Sequence, residues 1–402
     1  MSRGGLMLKD KTVILGVTGG IAAYKAVELL RLMTKAGAKV HVIMTKAATE
    51  FVAPLTFQTL SGNPVHLELF NLIAEQEIGH ISLADRADLF VIAPATANFI
   101  GKLANGIADD MLTTTVMATK APVLVAPAMN CNMFTNPIYK ENEKKLRGHG
   151  YLFVDPVEGQ LACGWEGDGK LQDPSVICEE VIAALSQKDL LGETVLVTAG
   201  PTREELDPVR FISNHSSGRM GYAIARSARR RGARVILVSG PTSLSPPFGV
   251  ETVRVTTAVE MRDAVLAMLQ QVTIVIKSAA VADYRPLKRA ESKVKKRTES
   301  LCIELEKNPD ILAEVGKSKG ERIVVGFAAE TDDLLANARK KLEDKNLDLI
   351  VANDVSEPGA GFDVDTNIVR LLYRGGKVEE PGIMSKDDLA DFIIDRIKGL
   401  KG

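Results

Sequence analysis

The chain has 402 residues, 46% apolar and 25% charged, a globular composition too long for one ordinary core. Its 50 basic and 51 acidic residues leave a net charge of −1, so no bulk electrostatic attraction to nucleic acid or a membrane surface is expected. No apolar run is long enough to span a bilayer, and Met1–Lys11 lacks the apolar centre of a secretory signal. The four cysteines (Cys131, Cys163, Cys178 and Cys302) form no C-x-x-C pair, and the five histidines show no metal-binding spacing. Such sparse thiols suit a reducing, cytoplasmic compartment, each one buried or catalytic.

The first half alternates strand and helix. Thr12–Val17 reads as a buried strand, Ile21–Lys35 as an amphipathic helix and Ala38–Met44 as a second strand. Between the first two, Gly16-Val17-Thr18-Gly19-Gly20-Ile21 forms a glycine-rich turn whose backbone N–H groups suit an anion. It is not G-x-G-x-x-G. The second strand ends in Met44-Thr45-Lys46, where a dinucleotide site would place an acidic residue on the ribose. A mononucleotide phosphate such as that of FMN fits better, with Thr18 and Thr45 as donors and Phe51 packing on a ring. A purely structural turn has the same sequence.

Further along, His80 precedes a predicted helix; imidazole chemistry suits a general base, although a lone histidine is often structural. Asp88–Ala93 and Pro122–Ala126 read as buried strands, each running into Ala-Pro. Thr96 and Asn98 follow the first, at a strand end where ligands sit in open α/β sheets. Met129, Asn130, Asn132 and Met133 follow the second; two carboxamides and two thioethers suit a polar, sulfur-containing substrate, and equally a capped loop with core methionines. Glu141–Gly148 reads as a polar helix closed by its glycine. Cys163 lies in a glycine-rich loop, Ala162–Lys170, where a thiol on a moving flap can donate a proton.

Ser186–Glu193 is polar and aperiodic and reads as the linker. A second alternating unit follows, with strands at Thr194–Thr198, Arg234–Val238, Thr273–Lys277, Ile323–Phe327 and Asp348–Ala352. Asn367–Tyr373 and Lys377–Glu380 flank Arg374-Gly375-Gly376, a hairpin signal, and Asp387–Lys398 reads as a closing helix. Asn214-His215-Ser216-Ser217-Gly218 leads into a helix at Met220–Arg231, a second loop able to hold an anion or simply to cap a helix. Lys277-Ser278-Ala279 ends a strand beside small residues that admit a base and ribose, with Asp283 as a ribose or metal ligand. Leu287–Ser300, rich in Lys and Arg, reads as a solvated loop or as a lid whose ammonium groups, Lys293 first, meet a triphosphate. Lys307–Ile311 opens a helix with free N–H groups, Phe327 ends a strand, and Lys341 and Lys345 share a helix face. Strands alternating with helices in both halves predict an α/β chain of two doubly wound domains with mainly parallel sheets.

In this order the motifs resemble the bifunctional enzyme family of coenzyme A biosynthesis in which phosphopantothenoylcysteine decarboxylase is fused to phosphopantothenate–cysteine ligase. Gly-Val-Thr-Gly-Gly-Ile, the His80 motif, Pro-Ala-Met-Asn and the Cys-Gly loop carry the first half of the resemblance. Ser-Asn-His-Ser-Ser-Gly, Ala-Ala-Val-Ala-Asp, Lys-Val-Lys-Lys and Lys-Asn-Pro-Asp carry the second. The resemblance implies a flavodoxin-like or Rossmann-like FMN-dependent decarboxylase domain over 1–189 and a Rossmann-like CTP-dependent ligase domain over 190–402. Gly19, Gly20, Ile21, Thr45, Phe51, Thr96 and Asn98 are implied to hold FMN, and Met129 and Met133 the substrate. His80 is implied as the base of the oxidative half, Asn130 as the grip on the substrate carboxylate and Cys163 as the proton donor of the reductive half. In the ligase half, 4′-phosphopantothenate attacks CTP to give an acyl-cytidylate, which the amine of L-cysteine opens. CTP is implied to meet Lys277, Ser278, Ala279 and Asp283, the run Pro309, Asp310, Ile311 and Leu312, then Phe327, Lys341 and Lys345. Lys293 is implied in the first step and Asn214 in the second. Mg²⁺ is implied on the phosphates, with Asp283 its candidate ligand. A homo-oligomer is implied too, trimeric through flavin domains and dimeric through ligase domains, with no nucleic-acid or membrane partner. The competing reading of the same residues is an FMN oxidoreductase carrying a nucleotide-binding regulatory module.

Overall fold

Strands that are apolar at every position belong in a sheet covered on both faces. The computed structural model describes residues 7–69, 79–160, 164, 166–295, 301–330, 334–354 and 364–401. Contacts divide it into two units, Leu6–Ser186 and Gln187–Gly402.

The first unit runs β1 (Thr12–Val17), α1 (Ala23–Lys35), β2 (Lys39–Met44), α2 (Pro54–Ser61), β3 (Val65–His66) and α3 (Gly79–Arg86). It continues through β4 (Leu89–Ala95), α4 (Ala97–Ala104), α5 (Met111–Ala118), β5 (Val123–Pro127), α6 (Cys131–Phe134), α7 (Pro137–Gly148) and β6 (Leu152–Phe153). A hairpin, β7 (Val157–Gln160) with β8 (Glu166–Lys170), and α8 (Pro174–Leu185) complete it. The parallel sheet has the order β3-β2-β1-β4-β5-β6. Alternate residues of each strand go to opposite faces. Val13, Leu15, Val40, Val42 and Val91 pack with α1 and α8, while Ile14, Ile43, Phe90 and Ile92 pack with α4, α5 and α7.

The second unit runs β9 (Thr194–Ala199), β10 (Arg203–Glu205), β11 (Phe211–Ser213), α9 (Arg219–Arg230), β12 (Arg234–Ser239), β13 (Glu251–Arg254), α10 (Ala258–Met268) and β14 (Ile274–Lys277). Next come β15 (Tyr284–Pro286), β16 (Leu305–Lys307), α11 (Ile311–Lys317), β17 (Ile323–Glu330), α12 (Leu334–Asp344) and β18 (Leu349–Asp354). β19 (Thr366–Tyr373), β20 (Val378–Glu379), β21 (Ile383–Ser385) and α13 (Lys386–Gly399) close it. The sheet order is β13-β12-β9-β14-β17-β18-β19-β20, parallel as far as β18 and antiparallel beyond. Val195, Val197, Val235 and Leu237 face α9 and α13, whereas Leu196, Ile236, Val238 and Val275 face α10, α11 and α12. Both units are therefore doubly wound, with the strand order of a Rossmann-like sheet.

Several local expectations need correction. The helix expected at Glu141–Gly148 starts four residues earlier, because Asn136 caps it and Pro137 pre-sets its first turn. Gly148 belongs to that helix; the left-handed residue after it is Gly150, at φ +88°. Phe327 does not end its strand, since β17 continues to Glu330 in register with Asp354. His80 stands inside the first turn of α3, and Lys345 one residue beyond α12.

α9 lies unusually close to β9. A Cβ on Gly221 would sit 2.6 Å from the Ala199 Cβ and 3.1 Å from the Thr198 carbonyl oxygen. Only glycine lets the helix rest on the strand end there. Gly221→Val should destabilise this unit by about 1–3 kcal/mol, typical of overpacking. An unchanged urea midpoint for loss of ligation would refute this close packing.

Candidate active sites

In the first unit the carboxyl ends of β1, β2, β4 and β5 open into a cavity of about 900 Å³. Its wall includes Gly19, Gly20, Ile21, Thr45, Thr96, Asn98, Met129, Asn130 and Met133, nine residues singled out in the sequence. Thr18 anchors its floor. The Thr18 hydroxyl donates to the Pro94 carbonyl at 2.7 Å and accepts from the Thr96 amide at 2.9 Å. The Thr96 hydroxyl in turn accepts from the Phe99 amide at 3.4 Å and caps α4. A Cβ on Gly19 would come within 2.4 Å of the Ala47 Cβ, so the turn has no room for any other residue. Thr45 Oγ1 is buried on this wall with no hydrogen-bond partner among the described residues. A buried hydroxyl without a partner is costly, and a ligand phosphate or amide removes that cost.

Asn130 Oδ1 accepts from the Asn132 amide at 2.9 Å, fixing the carboxamide at the start of α6. The Met129 amide donates to the Gly169 carbonyl at 3.0 Å, fastening this loop to the base of the β7–β8 hairpin. Cys163 falls between those two strands and lies outside the described residues. Phe51 does not reach the cavity wall. It follows the 3₁₀ turn Lys46–Glu50 and is 48% exposed, because that turn points it outward. Nor is His80 among the lining residues; its Nδ1 is buried without a partner among the described residues. Sequence reasoning missed the cavity's cations, Lys25, Lys46, Lys102 and Lys170. Lys25 lies in the first turn of α1 and reaches the Leu171 carbonyl at 3.3 Å. Its signal was position, one helical turn past the glycines.

In the second unit the topologically equivalent place is the adjoining ends of β9 and β14. Thr198 takes the role of Thr18: its carbonyl accepts from the Ser278 amide and its hydroxyl from the Ala279 amide, both at 3.2 Å. Lys277 is half-buried at the end of β14. Burial, then the Lys345 and Lys341 ammonium groups, pull its amine down to about 8, against the opposing effect of Asp310 and Asp283. Lys345 is paired with Asp310 at 2.8 Å, and Asp310 also caps α11 through the Ala313 amide at 3.1 Å. That cap takes one N–H expected to be free. Ile311 and Leu312 are core residues, 2% and 5% exposed, so only their backbone can face a ligand. Pro309 and Phe327 are half-buried, and Asp283 is exposed. The Asn214 carboxamide donates to the Val281 carbonyl at 3.0 Å, joining the polar loop before α9 to the Ala-Val-Ala-Asp turn. No side chain caps α9; Gly218 precedes it at φ +77°. Lys293 is exposed on the basic segment. Among the described residues no group of three or more His, Cys, Asp or Glu is arranged to hold a metal, and no helix is long and apolar enough to cross a membrane.

Residues 2–186 match the family described as Flavoprotein, and residues 190–400 the family described as DNA/pantothenate metabolism flavoprotein C-terminal domain. Over 398 residues the chain is 52% identical to the coenzyme A biosynthesis bifunctional protein CoaBC of Bacillus subtilis (strain 168), covering 98% of each. Over 397 residues it is 48% identical to that of Escherichia coli (strain K12), again covering 98% of each. Among solved structures, the C-terminal domain of a coenzyme A biosynthesis bifunctional protein CoaBC is 45% identical, covering 53% of this chain and 98% of that one at a TM-score of 0.46. The FMN-dependent cysteine decarboxylase SpaF is 32% identical, covering 44% and 99% at a TM-score of 0.40. With both units matched and about half of all residues shared from end to end, the chain belongs to the family of bifunctional coenzyme A biosynthesis proteins, a flavoprotein decarboxylase joined to a phosphopantothenate–cysteine ligase.

Proposed function

We propose that the second unit joins 4′-phosphopantothenate to L-cysteine at the expense of CTP, and that the first decarboxylates the product to 4′-phosphopantetheine with FMN. The observation that supports this best is the cavity at the strand ends of the first sheet, together with the polar and cationic residues at the same topological place in the second. The first holds an orphaned hydroxyl, the second a lysine perturbed by burial and neighbouring cations.

The first cleft fits FMN. Gly19, Gly20 and Ile21 form a turn on its wall, Gly19 with no room for a Cβ, Thr45 offers a buried hydroxyl without a partner among the described residues, and Thr96 and Asn98 polar groups at the start of α4. FMN, when bound, supplies the oxidation of the cysteinyl thiol and returns the electrons after carbon dioxide has left. Asn130 grips the substrate carboxylate and Met129 and Met133 line its apolar side. His80 accepts the thiol proton through its imidazole, whose Nδ1 has no partner among the described residues. Cys163 returns a proton to the product.

In the second cleft Lys277, Lys341 and Lys345 stabilise the negative charge of the triphosphate, and Lys293 the charge that builds on the attacked α-phosphate. Ser278 and Ala279 present the backbone to the base and ribose, and so do Pro309, Asp310, Ile311 and Leu312; Phe327 supplies an apolar edge. Mg²⁺ fits as a passenger of the nucleotide, with Asp283 as a single carboxylate partner. Asn214 orients the acyl-cytidylate for the amine of cysteine. A cytoplasmic homo-oligomer agrees with the exposed apolar side chains: Ile21, Tyr24 and Ile138 on the flavin unit, where trimer contacts would form, and Phe211 and Tyr284 on the ligase unit, where dimer contacts would form.

His80→Asn should stop carbon dioxide release while leaving ligation at its normal rate. Equal loss of both activities in a folded protein would remove His80 from its role. Lys277 is cationic below about pH 8 and neutral above it. Nucleotide binding should therefore weaken as pH rises through that value, and KM for CTP should climb. A KM flat from pH 7 to pH 9 would show that this ammonium does not meet the phosphates. For the two ligase steps, Lys293→Gln should form acyl-cytidylate about a hundredfold more slowly. Asn214→Asp should form it and let it accumulate. Mass detection of the intermediate, with and without cysteine, reads both; the opposite pattern would exchange the two roles.

A further inference from the structure

The turn joining β10 to β11 binds the basic segment that bears Lys293, and nothing in the sequence announces it. Asp207 is a buried carboxylate, 1% exposed, in that turn. Its two oxygens have different partners. Oδ1 accepts from the Val209 and Arg210 amides at 2.8 and 2.9 Å and so closes the turn on itself. Oδ2 accepts from Arg210 Nε at 3.0 Å, Arg210 Nη2 at 2.5 Å and the Val294 amide at 3.1 Å. Arg210 Nη2 also donates to the Val294 carbonyl at 2.9 Å.

The peptide groups on both sides of Val294 are thus gripped by one ion pair. Two further contacts run alongside: the Ala290 amide donates to the Leu206 carbonyl at 2.9 Å, and Arg289 pairs with Glu205. An exposed lysine on an otherwise polar segment would sample many positions, at a large entropic cost to catalysis. Here its neighbour in the chain is held at N–H and C=O together. Arg210 keeps the Asp207 carboxyl well below the usual carboxylate range, so the grip stays charged across the working pH of an enzyme.

We propose that Asp207, acting through Arg210 and the Val294 peptide groups, is a positioning residue that sets Lys293 for acyl-cytidylate formation. The proposal rests on the role given to Lys293 above. Asp207 touches no substrate; its effect is geometric.

The test uses Asp207→Asn in the full-length chain. The retained oxygen keeps the turn closed, while the amide that replaces Oδ2 can no longer accept from Val294 or the guanidinium. Formation of acyl-cytidylate from 4′-phosphopantothenate and CTP should slow by about a hundredfold in kcat, as for a misplacement near 1 Å. KM for CTP should change by less than about threefold, and aminolysis of preformed acyl-cytidylate by cysteine should stay within about twofold of normal. Decarboxylation by the same chain serves as the internal control. The double variant Asp207→Asn/Lys293→Gln should be no slower than Lys293→Gln alone, within about twofold, because the lysine being positioned is already gone.

Multiplying effects in the double variant, or equal loss in both ligase steps, would reduce Asp207 to a structural residue and overturn the proposal. Should Asp207→Asn abolish folding of the ligase unit, Arg210→Lys makes the same comparison, since a point charge cannot hold the carboxylate and the Val294 carbonyl in one fork. Normal acyl-cytidylate formation by Lys293→Gln would overturn both this proposal and the assignment of Lys293. A slow Lys293→Gln with multiplying effects would overturn the proposal alone.

Discussion

Parallel strands leave their sheet in diverging directions at the point where the winding reverses, and a ligand cleft exists there only if the two departing loops are held apart at a fixed width. One threonine does this in each unit. Thr18, directly after β1, donates to Pro94 and accepts from Thr96 beyond β4. Thr198, near the end of β9, accepts from Ser278 and Ala279 beyond β14. A hydroxyl can donate and accept at once, which lets a short side chain add to the backbone bonds that join the two loops, Thr18 N–H to Pro94 and Ala280 N–H to Gly200. Gly19 in one cleft and Gly221 near the other then allow the neighbouring backbone and helix to come close without filling the space.

The same scaffold carries two different electrostatic environments. The flavin cleft combines apolar side chains, neutral amides and hydroxyls with four lysines spread around its wall, Lys25, Lys46, Lys102 and Lys170, of which Lys102 is tied to Asp109 at 2.7 Å. Such a site suits an aromatic ring system and a substrate whose reactive charge must not be neutralised early. The ligase cleft gathers Lys277, Lys341 and Lys345 against Asp310 and Asp283. That excess of cations suits a polyanion, and with burial it lowers the pKa of the Lys277 amine. The difference lies in a few strand-end residues and not in the topology.

The strands were legible because each central one is apolar on both faces, a pattern that water does not allow elsewhere. Helix starts were less legible: α7 begins four residues before its polar periodicity does, at a cap and a proline. Short elements such as β10, β11, β15 and β16 escaped notice because three residues give no period to detect. Of the residues expected at a flavin site, those close after strand ends fell on the cavity wall, whereas Phe51, one turn further on, did not. Ile311 and Leu312 were named for their place in a motif, but their side chains belong to the core under β17. The hold of Asp207 on Val294 was invisible because its partners lie 87 residues apart, and no local pattern links them.

The β7–β8 hairpin is fastened to the Met129–Asn130 loop at its base, where the Met129 amide meets the Gly169 carbonyl. A Cβ at Gly169 would collide with the Met129 carbonyl oxygen at 2.3 Å. Further along β8, a Cβ at Gly167 would come within 3.2 Å of the Cys131 Cβ, so the strand also packs against the start of α6. A residue larger than glycine at position 169 would therefore displace the hairpin and the carboxamide loop together.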